Sequence, residues 1–66
     1  MNQTARAHAW SQDSYVDYKP NATGTWKVVG NHSGFIYKDN LTHEAARKYS
    51  TELNLNKQHN QNYPEN

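Results

Sequence analysis

This chain of 66 residues contains no cysteine, two prolines, three glycines and few aliphatic side chains. Without cysteine, neither a disulfide nor a thiolate metal site can supplement a small core. Leu, Ile, Val and Phe together number eight, which is below the level of about a fifth of residues at which disorder becomes common. The high net charge that accompanies disorder is absent, since the formal charge is +1. We therefore expect one small domain of marginal stability.

Two further absences bear on where the protein works. No stretch approaches the roughly 18 consecutive apolar residues of a membrane-spanning helix, and residues 1–8 lack the apolar run of a signal peptide. We expect a cytoplasmic protein, located in the host cytoplasm if the chain is phage-derived. Seven basic and six acidic residues are spread along the chain. This distribution excludes a basic field over the whole molecule, although a local basic patch stays open.

The two ends of the chain are more polar than its middle. We expect residues 1–13 to form a flexible N-terminal arm, with Trp10 as an anchor, and residues 55–66 to form a disordered polar tail. Most of the large apolar side chains lie between these segments. Residues 14–54 are therefore predicted to form the folded domain.

Alternating side chains predict an antiparallel sheet in this domain. Residues 14–18 have the β-branched and aromatic character of a first strand, and Pro20 should end it because proline has no amide hydrogen. Residues 25–29 and 35–38 predict two further strands, joined as a hairpin by a turn at residues 30–34. The expected register pairs Gly30 with Phe35, Val28 with Tyr37 and Val29 with Ile36.

The two faces of this hairpin differ in composition. One face carries Trp26, Val28, Phe35 and Tyr37. The other face carries Lys27, Val29, Ile36 and Lys38. A slip of one residue would mix the lysines with the aromatic side chains, so burial of the aromatic face favours this register. One helix can cover only one face, and the second face is then either a solvated sheet surface or a contact surface.

A helix is predicted after the hairpin. Thr42 is a suitable N-cap, and Glu44 lies in the first turn, where the helix dipole favours a negative charge. Leu41 can pack on Ala46 as a hydrophobic staple, and Asn54 is expected to end the helix. The apolar stripe of this helix consists of Ala46, Tyr49 and Leu53. The predicted fold class is α+β: an antiparallel sheet of two or three strands followed by one helix packed on one face.

Motifs that would carry enzymatic chemistry are incomplete. A zinc-protease helix needs a second histidine four residues after the first, but Arg47 occupies that position after His43, and arginine cannot ligate a metal. Residues 30–34 contain His and Ser between glycines, but the spacing differs from that of a nucleophile elbow. The carboxylates show no pairing that indicates a general acid and base. We expect no enzyme, no metal and no cofactor.

The helix start resembles a motif of small modules with three strands and one helix. Residues 42–46, Thr-His-Glu-Ala-Ala, follow the last strand as T-x-E-A-A does in the arm-type DNA-binding domains of phage integrases and in several short phage or bacterial proteins. The resemblance covers about residues 15–53 and implies a sheet that enters the DNA major groove. Only Lys27 and Lys38 correspond in kind to the basic sheet face of those domains. The motif itself is a helix cap followed by alanines, and it does not assign the chain to one family.

Two functions from different classes are consistent with the sequence. The first is a non-enzymatic protein-binding module that acts as an inhibitor or adaptor of a larger macromolecule, of phage or mobile-element origin. Its expected contact residues are Lys27, Val29, Ile36 and Lys38. The alternative is a small DNA-binding module with Lys27, Lys38, Arg47 and Lys48 as contacts. Self-association stays open, and no membrane is involved.

Two mutational expectations follow from the predicted faces. Val29→Asp or Ile36→Asp should weaken partner binding and leave the helix intact, because both side chains belong to the face without a helix. Trp26→Ala should unfold the domain, because truncating a large core aromatic costs about 3–5 kcal/mol.

Overall fold

A computed structural model describes residues 3–59, and these residues form a three-stranded antiparallel sheet with two helices. The elements in chain order are α1 (Gln3–Gln12), β1 (Val16–Pro20), β2 (Trp26–Gly30), β3 (Ile36–Leu41) and α2 (His43–His59). The predicted α+β fold, a small sheet followed by a helix, is confirmed. The predicted disorder of the polar tail applies to residues 55–66. Of these, residues 60–66 lie outside the part of the chain that the structure describes. No helix within residues 3–59 is both long and apolar enough to cross a membrane.

The first strand completes the sheet, with β2 in the centre and β1 and β3 at the edges. The strand predicted for residues 14–18 begins at Val16 and extends to Pro20. Pro20 is tolerated as the last residue of an edge strand, where no neighbouring strand needs its amide hydrogen. Val16 pairs with Gly30, and Lys19 pairs with Lys27.

The β2–β3 pairing agrees with the predicted register at one end only. Val29 lies opposite Ile36 as expected. Val28, however, lies opposite Lys38, which corrects the predicted pairing with Tyr37. The cause is extra residues in β3, which the ladder absorbs as bulges. Tyr37 is nevertheless 4% exposed, so the bulges change the pairing without removing Tyr37 from the core.

The core lies on the sheet face that contacts the helices, which we call the covered face. Val28 and Tyr37 enter it from the sheet, and Ala46 and Leu53 enter it from α2. The predicted helix start is confirmed, since the amide of Ala45 donates to Thr42 Oγ1 at 3.1 Å. Local capping and the apolar stripe therefore place α2 on the aromatic face of the hairpin, as the pattern predicted.

The N-terminal segment corrects the expectation of a flexible arm over residues 1–13, because α1 is a helix that packs on the covered face. Trp10 is 2% exposed, and its ring lies edge-on to Tyr37 with 5.8 Å between centroids. Arg6 Nη2 donates to the Tyr49 hydroxyl at 3.1 Å, which joins α1 to α2. The alternating alanines of α1 favour a helix, but a helix of ten residues is marginal by itself, so its burial against the sheet stabilises it.

The second helix is longer than predicted and reaches His59, so residues 55–59 belong to α2 and not to a tail. Asn54, the expected last residue, instead holds β1 with its side-chain amide. The Val16 amide donates to Asn54 Oδ1 at 2.7 Å, and Asn54 Nδ2 donates to the Val16 carbonyl at 3.1 Å. Lys57 Nζ, one turn later, donates to the Trp10 carbonyl at 2.6 Å. The last turns of α2 therefore fasten both β1 and α1.

Candidate functional site

The sheet face opposite the helices is the most extensive candidate surface, and we call it the uncovered face. Both helices contact the covered face, and no element within residues 3–59 packs over the other one. The strand registers place five side chains on the uncovered face. These residues are Asp17, Lys19, Lys27, Val29 and Ile36. Three of the four residues predicted as protein contacts are among them, and the fourth, Lys38, lies opposite the core residue Val28 at a bulge of the edge strand.

The apolar part of the uncovered face is smaller than the sequence suggested. Val29 is 8% exposed because it lies between Asp17 on β1 and Ile36 on β3. Ile36 is 42% exposed, and Tyr15, just before β1, is 51% exposed. Ile36 is therefore the apolar side chain that a partner can reach, and Val29 lies beside it on the central strand.

The cationic part of the uncovered face differs from the predicted one, because Lys19 takes the place of Lys38 beside Lys27. Lys19 lies directly opposite Lys27, and like charges in this arrangement destabilise a sheet. Apolar and charged residues alternate over residues 16–19, and this alternation could have assigned Lys19 to one face of the sheet. Its position beside Lys27 depends on the β1–β2 register, which the sequence did not reveal.

The Asp39 carboxylate compensates part of this positive charge. Asp39 Oδ1 accepts hydrogen bonds from Asn21 Nδ2 and from the Asn40 amide, both at 2.8 Å. These two hydrogen bonds, and more weakly the charge of Lys27, hold the pKa of the Asp39 carboxyl below its usual range. Asp39 is thus engaged mainly with the neighbouring turn and strand backbone.

The residues of the alternative nucleic-acid set do not share one surface. Arg47 and Lys48 are exposed on α2, which packs on the covered face. Lys27 lies on the opposite side of the sheet, and Lys38 is exposed on the edge strand β3. A nucleic acid on the uncovered face would therefore meet Lys19 and Lys27, without the helix cations.

A buried carboxylate forms the densest polar cluster among the described residues. Asp13 is 4% exposed and closes the β2–β3 turn from the covered side. Its Oδ1 accepts hydrogen bonds from the amides of His32 at 2.9 Å and Ser33 at 2.6 Å. Its Oδ2 accepts from Ser33 Oγ at 2.8 Å and from the Tyr37 hydroxyl at 2.7 Å. A side chain on Gly30 would collide with this carboxylate, so glycine is required there by close approach.

The electrostatics of this cluster stabilise an ionised Asp13. Burial raises the pKa of the Asp13 carboxyl, but hydrogen bonds from Ser33, Tyr37 and His32 outweigh burial and lower it overall. Burial, and then the hydrogen bond to Asp13, raise the pKa of Tyr37. Ser33 Oγ donates to Asp13 and accepts from the Phe35 amide at 3.0 Å. The Ser33 hydroxyl is thus used to close the turn, and His32 contributes its backbone amide and not its ring to Asp13.

A polar groove of about 530 Å³ lies beside this cluster, between the end of α1 and the last turns of α2. Gln12, Ser14, Tyr15 and Gln58 line it, together with Lys57. The ammonium of Lys57 lies 4.0 Å from the centre of the Trp10 ring, and burial lowers its pKa, partly offset by Asp13. Lys57 is therefore engaged with Trp10 through both the ring and the carbonyl.

Histidines and acids do not assemble into a metal site within residues 3–59, where no three potential ligands are grouped. His43 instead packs against Trp26, with 4.4 Å between ring centroids, and against Tyr18 at 5.6 Å. His43 of the incomplete zinc-protease motif thus lies against aromatic rings, and Arg47 occupies the position of the second metal ligand.

Comparison with known proteins gives no relative: no family model, no curated protein and no solved structure matches this chain. Function therefore has to be argued from the surfaces described above.

Proposed function

We propose that this protein is a non-enzymatic protein-binding module that acts as an inhibitor or adaptor of a larger partner through its uncovered face. The single observation that carries this proposal is the placement of both helices on one side of the sheet. That placement leaves Ile36 exposed on the other side, next to Val29 of the central strand. A reachable apolar side chain with charged neighbours is typical of a contact surface.

The internal polar groups support a binding role over a catalytic one. The polar groups that could take part in catalysis are hydrogen-bonded inside the fold. The Ser33 hydroxyl donates to the Asp13 carboxylate, and Lys57 donates to the Trp10 carbonyl. A nucleophile needs a base within hydrogen-bond reach and a third group that orients the base. The cluster around Asp13 instead joins a turn to the core, which is a structural task.

The proposal predicts that Ile36→Asp lowers partner retention at least tenfold, because a carboxylate replaces the apolar contact. Leu55→Asp is the matched control, since Leu55 is 47% exposed and lies on α2, on the other side of the sheet. Both variants should keep the parental circular dichroism spectrum. The measurement is quantitative mass spectrometry of proteins retained from cells of the source organism by each tagged variant. Equal retention by the two variants would contradict the proposal.

Val29→Asp is a poorer probe than the sequence suggested. Val29 is 8% exposed, so an aspartate there would bury a charge and destabilise the sheet as well as alter the surface. Loss of binding by Val29→Asp would therefore not distinguish a destabilised sheet from an altered contact surface. Ile36→Asp can distinguish them, because Ile36 is exposed.

Binding to duplex DNA is the second candidate, and the lysine row favours it. Lys19 and Lys27 lie opposite each other, and a phosphate backbone would relieve their repulsion. Contact of these two lysines with about two phosphates implies that log affinity falls with log salt at a slope of about −1.8. Fluorescence anisotropy of a labelled duplex at several salt concentrations measures this slope. A slope of this size that becomes flatter in Lys19→Gln and Lys27→Gln would favour DNA binding over protein binding.

A further inference from the structure

The polar groove between the end of α1 and the last turns of α2 contains side chains whose polar groups are not used inside the fold. Its volume of about 530 Å³ lies within the range of about 300–1,000 Å³ that is typical of small-molecule sites. Ser14, Tyr15 and Gln58 are exposed at the groove, and their side chains make no hydrogen bond within the described residues. Ser11 and Asn54 also line it, but they bond to backbone carbonyls. The groove therefore offers two hydroxyls and one amide to a ligand.

Lys57 adds a positive charge to these groups. Its ammonium has three N–H donors, of which one bonds to the Trp10 carbonyl at 2.6 Å. The Trp10 ring lies 4.0 Å from the same nitrogen. Two donors thus have no hydrogen-bond acceptor among the described residues. Burial lowers the pKa of Lys57, so an anionic acceptor, which favours the charged ammonium, would be stabilising at this position.

The charge around Lys57 favours a ligand group with a single negative charge. Asp13 also lines the groove, and its charge partly offsets the effect of burial on the pKa of Lys57. Each Asp13 oxygen already accepts two hydrogen bonds, so this carboxylate has no lone pair left for a ligand donor. Its charge still repels an anion in the groove. A carboxylate therefore fits better than a phosphate, which carries up to two charges.

We propose that this groove binds a small organic carboxylate, with the negative group at Lys57. The site is built from α1, α2 and the segment between α1 and β1, and it goes beyond the protein-binding function proposed for the uncovered face. Ser14 and Gln58 supply hydrogen bonds to polar atoms in the body of the ligand. Tyr15 is 51% exposed, and its ring supplies a surface on which a planar group of the ligand can stack.

The test is a titration of the full ¹⁵N-labelled chain with hippurate, which joins a carboxylate, an amide and a phenyl ring. At the efficiency of drug-sized ligands, its size of about 13 non-hydrogen atoms corresponds to a Kd of about 1 mM. We expect saturable shifts of the Ser14, Tyr15 and Gln58 amide signals with this Kd, and no shift at Ile36 on the uncovered face. Hippuramide, the neutral analogue, should bind at least tenfold more weakly.

Two variants change the charge of the groove in different ways. Gln58→Glu adds a negative charge at an exposed side chain without an internal partner, so it should keep the parental circular dichroism spectrum and weaken hippurate binding at least fivefold. Lys57→Gln should abolish the preference for hippurate over hippuramide, and it should also lower the melting temperature because the bond to the Trp10 carbonyl is altered. Lys48→Gln, exposed nearer the start of α2, is the matched control and should bind hippurate as the parent does.

Three outcomes would overturn the proposal. They are the absence of saturable shifts up to about 10 mM hippurate, ten times the expected Kd, equal binding of hippurate and hippuramide, and unchanged hippurate binding by Gln58→Glu. The proposed function is tested separately, because partner retention by Ile36→Asp concerns the uncovered face and the hippurate titration concerns the groove.

Discussion

Replacing Trp10 with alanine is expected to cost about 3–5 kcal/mol of the free energy of unfolding. A domain of this size has a total stability of only about 3–10 kcal/mol. Trp10→Ala should therefore leave a large unfolded population at 37 °C. This effect is one of the two largest that we expect from a single truncation in this chain.

The reason is the number of elements that meet at Trp10. The side chain is 2% exposed and contacts the edge of Tyr37 from the sheet. Lys57 of α2 covers the ring at 4.0 Å and donates to the Trp10 carbonyl. Removing the indole opens a cavity between α1, the sheet and α2 and removes the main apolar contact of α1.

Trp26→Ala is the matched comparison. The sequence predicts that this change unfolds the domain, whereas the partial burial of Trp26 predicts a smaller loss than for Trp10. Trp26 is half-buried and packs against His43 at 4.4 Å and Tyr18 at 5.9 Å. Its truncation should cost about 2 kcal/mol. Thermal melts followed by far-ultraviolet circular dichroism would rank the two variants. A lower melting temperature for Trp26→Ala than for Trp10→Ala would contradict the assignment of the core.

Removing the Asp13 carboxylate is expected to have an effect of similar size. Asp13→Ala leaves the amides of His32 and Ser33 and the hydroxyl of Tyr37 without their acceptor in a buried site. Breaking a buried charged network costs about 3–5 kcal/mol. Asp13→Asn retains one acceptor oxygen but turns an amide donor towards other donors, and should cost about 2 kcal/mol. Urea denaturation of both variants measures these losses.

Asp17→Asn is the control for this series, because Asp17 is exposed on β1 and should change stability by less than about 0.5 kcal/mol. Equal losses for Asp13→Asn and Asp17→Asn would show that the buried network contributes nothing specific. Because Gly30 is in close contact with the same carboxylate, Gly30→Ala should destabilise the parent strongly.

The same carboxylate predicts acid sensitivity. Hydrogen bonds hold the pKa of Asp13 in the folded chain below its usual range, despite the opposing effect of burial. In the unfolded chain the pKa is about 3.9. The stabilisation is therefore present above about pH 4 and is lost as pH falls through the lower, folded-state pKa. The melting temperature of the parent should fall more steeply below pH 4 than that of Asp13→Asn, and parallel pH profiles would contradict this origin.

Local chemistry explains the features that could be predicted from the sequence. The Thr42 hydroxyl caps α2 because it accepts a hydrogen bond from the amide of Ala45, three residues later. Alternation of apolar and polar residues placed Val28 and Tyr37 on the covered face and Ile36 on the uncovered one. These signals act within one element or one hairpin, where the spacing along the chain sets the geometry.

Contacts between distant residues explain what the pattern missed. The role of Trp10 depends on Tyr37 and Lys57, and that of Asp13 depends on a turn about 20 residues later. The placement of Lys19 beside Lys27 depends on how β1 pairs with β2.

The sequence by itself determined the hairpin, the start of α2 and the division of the sheet into two faces, because propensity, capping and alternation act over a few residues. Only the tertiary structure decided that α1 is a helix, which tryptophan is buried and that Lys19 lies opposite Lys27. A marginal ten-residue helix and an edge strand are each stabilised by whatever packs against them, and that neighbour comes from elsewhere in the chain.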